Sequence, residues 1–166
     1  MKRKLLTSLI IASSFSAYAS ALEVKLADSA WDGVKIPVGQ QCDKFGGEKP
    51  ATPKLHITDI PSGSNLIVLE YSDRDSEKMN NGGHGSMSYS IDSASKTANI
   101  PSVPGHSFEL PEKFTMIEAH RGAGWDKEGA YMPPCSGGNN HAYYVTVKAM
   151  KGEMVTAETV LELGKF

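Results

Sequence analysis

The sequence predicts an all-β fold, and three observations carry that prediction. Apolar residues recur either with period two or in short continuous blocks, the spacing of strands and not of helices. Those runs are bounded by connections rich in Gly, Pro, Asn and Ser: "PSGSN", "MNNGGHG", "IPSVPGH" and "PPCSGGNN". No helical stripe of useful length interrupts them, and "DSEKMN" offers at most one turn.

Taken in order, residues 1–21 stand apart from the fold. They begin with Lys2, Arg3 and Lys4, continue through an apolar stretch from Leu5 to Ala17, and end in small residues, Ala17-Tyr18-Ala19 and Ala19-Ser20-Ala21. That pattern reads as a secretory signal peptide cleaved after Ala19 or Ala21, too short and wrongly flanked for a stable span. Residues 22–166 are then expected to form one domain in the periplasm or outside the cell.

The expected strands are Glu23–Ala27, Lys54–Thr58, Asn65–Ser72, Ser86–Ile91, Lys113–Ala119, Tyr143–Met150 and Val155–Glu162. "NLIVLEYS" is nearly continuously apolar, as in a strand buried on both faces. "YYVTVKAM" alternates, as in a strand covered on one face. The tight turn after it makes "EMVTAETVLEL" its hairpin partner, with "VLEL" as a short helix the alternative.

Residues 1–21 carry three of the 17 lysines and arginines and none of the 19 acids, which leaves 14 against 19, a charge of −5. Such an acidic chain is poorly suited to nucleic acid or to general adhesion on anionic lipid, so an anion has to be captured in a local site. No later apolar run approaches membrane length. The two cysteines, Cys42 and Cys135, read as one disulfide in an oxidising compartment. Two buried thiols or a metal site are the alternatives, and no CxxC spacing supports the metal.

Among five histidines, His84 and His141 stand out because both precede predicted strands in glycine-rich turns, "NNGGHGSMSYSI" and "GGNNHAYYVTV". His56 reads as a strand residue, His106 as a loop residue, and His120 beside Arg121 as either an anion contact or a solvated pair. Asp73 and Asp75 end the long apolar strand. A pocket at the ends of three strands would therefore join a carboxylate, two imidazoles and aromatic walls from Tyr131, Tyr143 or Tyr144.

The order of these segments resembles the phosphatidylethanolamine-binding protein (PEBP) family, in particular its bacterial exported members. The resemblance rests on "KIPVGQQCDKFGGEKPATPKLHITDIPSGSNLIVLEYSDRD", then "GGHGSMSYSI", then "AYMPPCSGGNNHAYYVTVKAM", and runs from Trp31 to Met150. It implies a large central antiparallel sheet flanked by a smaller one, and a small pocket for phosphate or a phosphoethanolamine head group. Asp73 and Asp75 match the two aspartates of the family's Asp-Pro-Asp motif, His84 the His of its His-Trp, and His141 and Tyr143 the His and Tyr of its His-Arg-Tyr. Cys42 and Cys135 match the cysteines of bacterial members. Five departures bear on head-group specificity. Arg74 stands for the motif proline, Ser76-Glu77 for Ala-Pro, Gly85 for the tryptophan, and Ala142 for the arginine, and the C-terminal region is too short for the helix many members carry.

The leading expectation is thus a non-catalytic binding protein without cofactor. Imidazole N–H groups would hold the anion, Asp73 would orient one ring, and Asp75, Tyr131 and Tyr143 would complete the site. As in the family's regulators and inhibitors, the loop from Asp73 to Gly85 could dock another protein. The alternative is a metal-binding protein or metal-dependent hydrolase using His84, His141 and Asp73. Six methionines outside the initiator invite a copper reading, but they are scattered along the chain and methionine most often fills cores. "GHGSMS" lacks the elbow of a serine esterase.

Overall fold

The computed structural model describes residues 22–166, so the expected signal peptide lies outside the described residues. Eight strands follow in chain order: β1 (Glu23–Leu26), β2 (Leu55–Thr58), β3 (Leu66–Asp73), β4 (Ser86–Ser90), β5 (Ala98–Ile100), β6 (Phe114–Glu118), β7 (Ala142–Lys151) and β8 (Met154–Lys165). They form two wholly antiparallel sheets. The larger has the order β6-β4-β3-β7-β8 and the smaller β1-β2-β5. Among the described residues helix is confined to two single 3-10 turns, Asp43–Phe45 and Glu77–Met79, the second falling within "DSEKMN". No helix among the described residues is long and apolar enough to cross a membrane.

One core joins the sheets. Leu55, Ile57 and Ile100 from the small sheet pack with Ile67, Leu69, Tyr71, Met87, Val145 and Val147 from the large one. The period-two pattern of β7 holds from Val145 onward, with Val145, Val147 and Ala149 buried and Thr146 and Lys148 half-buried, while Tyr143 and Tyr144 are both buried at its start. β3 differs from its expectation. Ile67, Leu69 and Tyr71 are buried, but Leu66, Val68 and Glu70 on the other face are only half-covered. The Glu70–Lys148 ion pair at 2.7 Å occupies that second face, and among the described residues no further sheet packs there.

β7 and β8 form the longest pairing, closed by the two-residue turn Gly152-Glu153. Gly152 has φ 59°, as the first central position of such a turn demands, and the chain beyond it is strand throughout, "VLEL" included. β5 is the strand the pattern did not reveal. Its three residues show too little alternation to read, and only pairing with β2 defines them.

The register places the site. β3 pairs with β7 so that Asp73, the last residue of β3, lies opposite Tyr143. His141 then stands two residues before Tyr143 at the same sheet end. His84 reaches that end from the turn before β4, through N–H donation to Tyr71 O at 3.0 Å.

Candidate functional site

A cavity of about 550 Å³ opens at this end of the large sheet. Its polar floor is made by Asp73, His84, His141 and Tyr143, and its walls by Phe45, Met79, Trp125, Met132 and the Cys135 side of a disulfide; Lys78 and Asn139 stand at its edge. The Cys42–Cys135 bond ties the loop holding Phe45 to the segment leading into β7, and both cysteines are buried.

Asp73 is buried and fully employed. Its Oδ2 accepts from His141 Nδ1 at 2.7 Å, and its Oδ1 accepts the Asp75 N–H at 2.9 Å. A carboxylate can only accept, so His141 carries its proton on Nδ1 and leaves Nε2 for a ligand. The backbone of His141 is clamped by reciprocal bonds with Phe166, at 3.0 and 3.1 Å.

His84 is arranged in the same sense but in a drier setting. Its Nδ1 donates to the Met132 carbonyl at 2.7 Å, and the edge of the Tyr143 ring system meets it at 5.3 Å between centroids. A carbonyl has no proton to give, so the neutral ring must be the Nδ1–H tautomer with its lone pair on Nε2. Burial pushes the His84 pKa down to about 4, because desolvation penalises the imidazolium more than the Met132 carbonyl supports it. His84 is therefore a neutral base at ordinary pH.

Two of the expected residues sit elsewhere. Tyr131 is a core residue, 2% exposed and packed edge-on against Tyr71 at 5.0 Å. It does not line the cavity, whereas its neighbour Met132 does. Asp75 faces the loop, where its Oδ2 accepts the Ala142 N–H at 2.7 Å. Tyr143 lines the cavity. Its hydroxyl accepts the Cys135 N–H at 3.2 Å, and burial raises its pKa to about 12, so it stays neutral. Tyr144 turns away and bonds the Asn80 side chain.

The substitutions at the loop have local explanations. Arg74, in place of the motif proline, stacks its guanidinium over the Tyr144 ring at 4.3 Å and pairs with Glu162. Together with the two aspartate bonds this fixes the loop without proline. Gly85 has φ 116°, and a Cβ there would lie 1.9 Å from the Ala130 carbonyl oxygen. The position therefore has no room for any side chain, and its glycine is not a missing wall of the cavity.

The other histidines lie outside the site. His56 bonds Asn99 at 2.7 Å on the small sheet. His106 bridges Asp126 at 2.5 Å and Asp43 at 3.3 Å. His120 donates Nε2–H to Lys127 O and accepts the Gly122 N–H. Arg121 is committed to Glu118 and to the carbonyls of Asn80 and Asn81, so it is not available to an anion.

Nor do the three groups of the metal alternative form a tight ligand cluster. Among the described residues, the one trio whose ligand atoms lie within 4.8 Å of one another is Cys42, Asp126 and Cys135, and its sulfurs are joined to each other. Asp73 has the place of a carboxylate that orients a histidine and not of a metal ligand. Sequence reasoning missed Phe45, Met79, Trp125 and Met132, because wall residues carry no chemistry that spacing could flag.

No protein-family model matches the sequence, and no curated protein matches it. Among solved structures, the chain is similar to a phosphatidylethanolamine-binding protein homologue from Chlamydia trachomatis. The identity is 18%, the TM-score 0.52, and the match covers 88% of this chain and 97% of that one. Two antiparallel sheets of five and three strands, in that likeness, give this chain a PEBP-like fold.

Proposed function

We propose that the chain is an exported, non-catalytic binding protein whose cavity takes a phosphate monoester such as a phosphoethanolamine-like head group, and that it acts as a regulator or inhibitor of another protein. The observation that carries this reading is the pair of oriented imidazoles, His84 and His141, on the floor of one apolar-walled cavity. His141, oriented by Asp73 through Nδ1, presents Nε2 to a phosphate oxygen and donates to it when both ring nitrogens carry protons. Lys78 at the edge adds positive charge. His84 plays the opposite part, because its Nε2 lone pair accepts a proton and repels a bare oxyanion.

The favoured ligand is therefore the monoanion, whose P–OH donates to His84 Nε2. A monoester with a second pKa of about 6 is half monoanion at pH 6 and roughly one-hundredth at pH 8. Affinity should thus be about fiftyfold higher at pH 6, through this effect alone. Titration calorimetry with phosphoethanolamine and with inorganic phosphate tests the reading. Tighter binding at pH 6, weakened by H84A and H141A and untouched by H56A, supports it. Equal affinity at pH 6 and pH 8 overturns the role given to His84, and absence of saturable binding overturns the site.

A further inference from the structure

The fold brings two of the scattered methionines into the lining of the cavity that His84 lines. Met132 is bonded to it twice through the backbone, as the N–H donor to His84 O at 2.9 Å and as the carbonyl acceptor of Nδ1. Met79 ends the 3-10 turn five residues before His84, and its backbone packs closely on Gly83, where an added Cβ would lie 2.4 Å from the Met79 Cα. Both methionines line the cavity that His84 lines, and both belong to one buried cluster with the disulfide and Phe45. The Met132 sulfur lies against Gly122, itself part of the cavity wall.

His84 is 3% exposed, and no protein partner claims its Nε2 among the described residues. The donor set is one neutral imidazole nitrogen and two thioether sulfurs. Hard cations such as magnesium and calcium require oxygen ligands, and zinc sites draw on thiolate, carboxylate or several imidazoles. Thioether sulfur selects soft Cu(I), for which imidazole is also a good partner. Asp73, the nearby carboxylate, is committed to His141.

We propose that this cavity is a site for one Cu(I) ion, held by His84 Nε2 and the sulfurs of Met79 and Met132. This goes beyond the phosphate reading and does not depend on it, since it uses no anion and no proton.

Silver(I) is the diamagnetic probe, added to the mature protein with methionine methyl groups labelled with carbon-13 and followed by NMR. One equivalent should shift the methyl signals of Met79 and Met132 and the ring signals of His84 together. Met87, which is buried elsewhere, and Met154, 60% exposed, should stay still until excess is added. Competition for Cu(I) against bicinchoninate should show M132L and M79L, both near volume-conserving, weakening binding by at least about tenfold each. Silver that moves exposed Met154 first, or that leaves Met79 and Met132 unmoved, overturns the proposal in the wild-type chain whatever the variants do. Loss of phosphate binding leaves this result unaffected, so the two readings fail separately.

Discussion

Replacing His84 by Asn removes a titrating group while keeping an N–H where Nδ1 meets the Met132 carbonyl. The wild-type ring has a folded pKa of about 4 and an ordinary value of 6.5. The sign follows from which state binds protons. Between those values the unfolded chain protonates at His84 and the folded one does not, so falling pH favours unfolding. The stability that burial of the neutral ring permits is whole above pH 6.5, declines as pH falls, and levels off below about 4. The full loss is roughly 3–4 kcal/mol, from 2.5 units at about 1.4 kcal/mol each. At pH 5 it amounts to about 2 kcal/mol. Urea denaturation of wild type and H84N at pH 8 and pH 5, in phosphate-free buffer, isolates this contribution. His120, also held low by burial, and all carboxylates contribute alike to both proteins and cancel. Wild type should lose about 2 kcal/mol more than H84N between the two pH values. Equal losses would show that His84 is not a buried neutral base.

Three other outcomes follow from the same geometry. Replacing both Cys42 and Cys135 by Ala should lower stability by about 4.7 kcal/mol, the entropy of freeing a loop of about 94 residues. A loss below about 1 kcal/mol in urea denaturation would contradict that. Gly85→Ala places a Cβ against the Ala130 carbonyl in a left-handed backbone, and should destabilise by at least about 2 kcal/mol. An unchanged melting temperature would refute the close approach. Asp73→Asn removes the charge that holds His141, and should weaken phosphate binding by about tenfold with near-normal stability. Unaltered affinity would leave Asp73 with a purely structural part.

How much was legible in the sequence differs between residues for physical reasons. β7 was readable because alternation maps directly onto two faces of unequal burial. β3 was overread, since a run of apolar residues does not say whether a second layer covers the outer face. β5 has three residues and takes its conformation from β2, a long-range pairing that local pattern cannot carry. Asp73, His84, His141 and Tyr143 could be expected to meet in one cavity because chemistry-bearing residues stood at strand ends. Tyr131 does not line this cavity for a simple reason: in an extended segment neighbours face opposite ways, so Met132 enters the cavity and Tyr131 enters the core. Met79 and Met132, 53 positions apart in sequence, meet in one buried cluster only through the fold.

The central claim is that His84 and His141 share one ligand, and nitrogen-15 NMR of the histidine rings tests it most directly. Phosphoethanolamine would be added to the metal-free mature protein at pH 6. The account predicts that His84 begins as the neutral Nδ1–H tautomer, and that its Nε2 signal and that of His141 move together and saturate. The His56 signal, from the other sheet, should not move. Signals that shift independently, or His84 starting as the Nε2–H tautomer, would contradict the shared site.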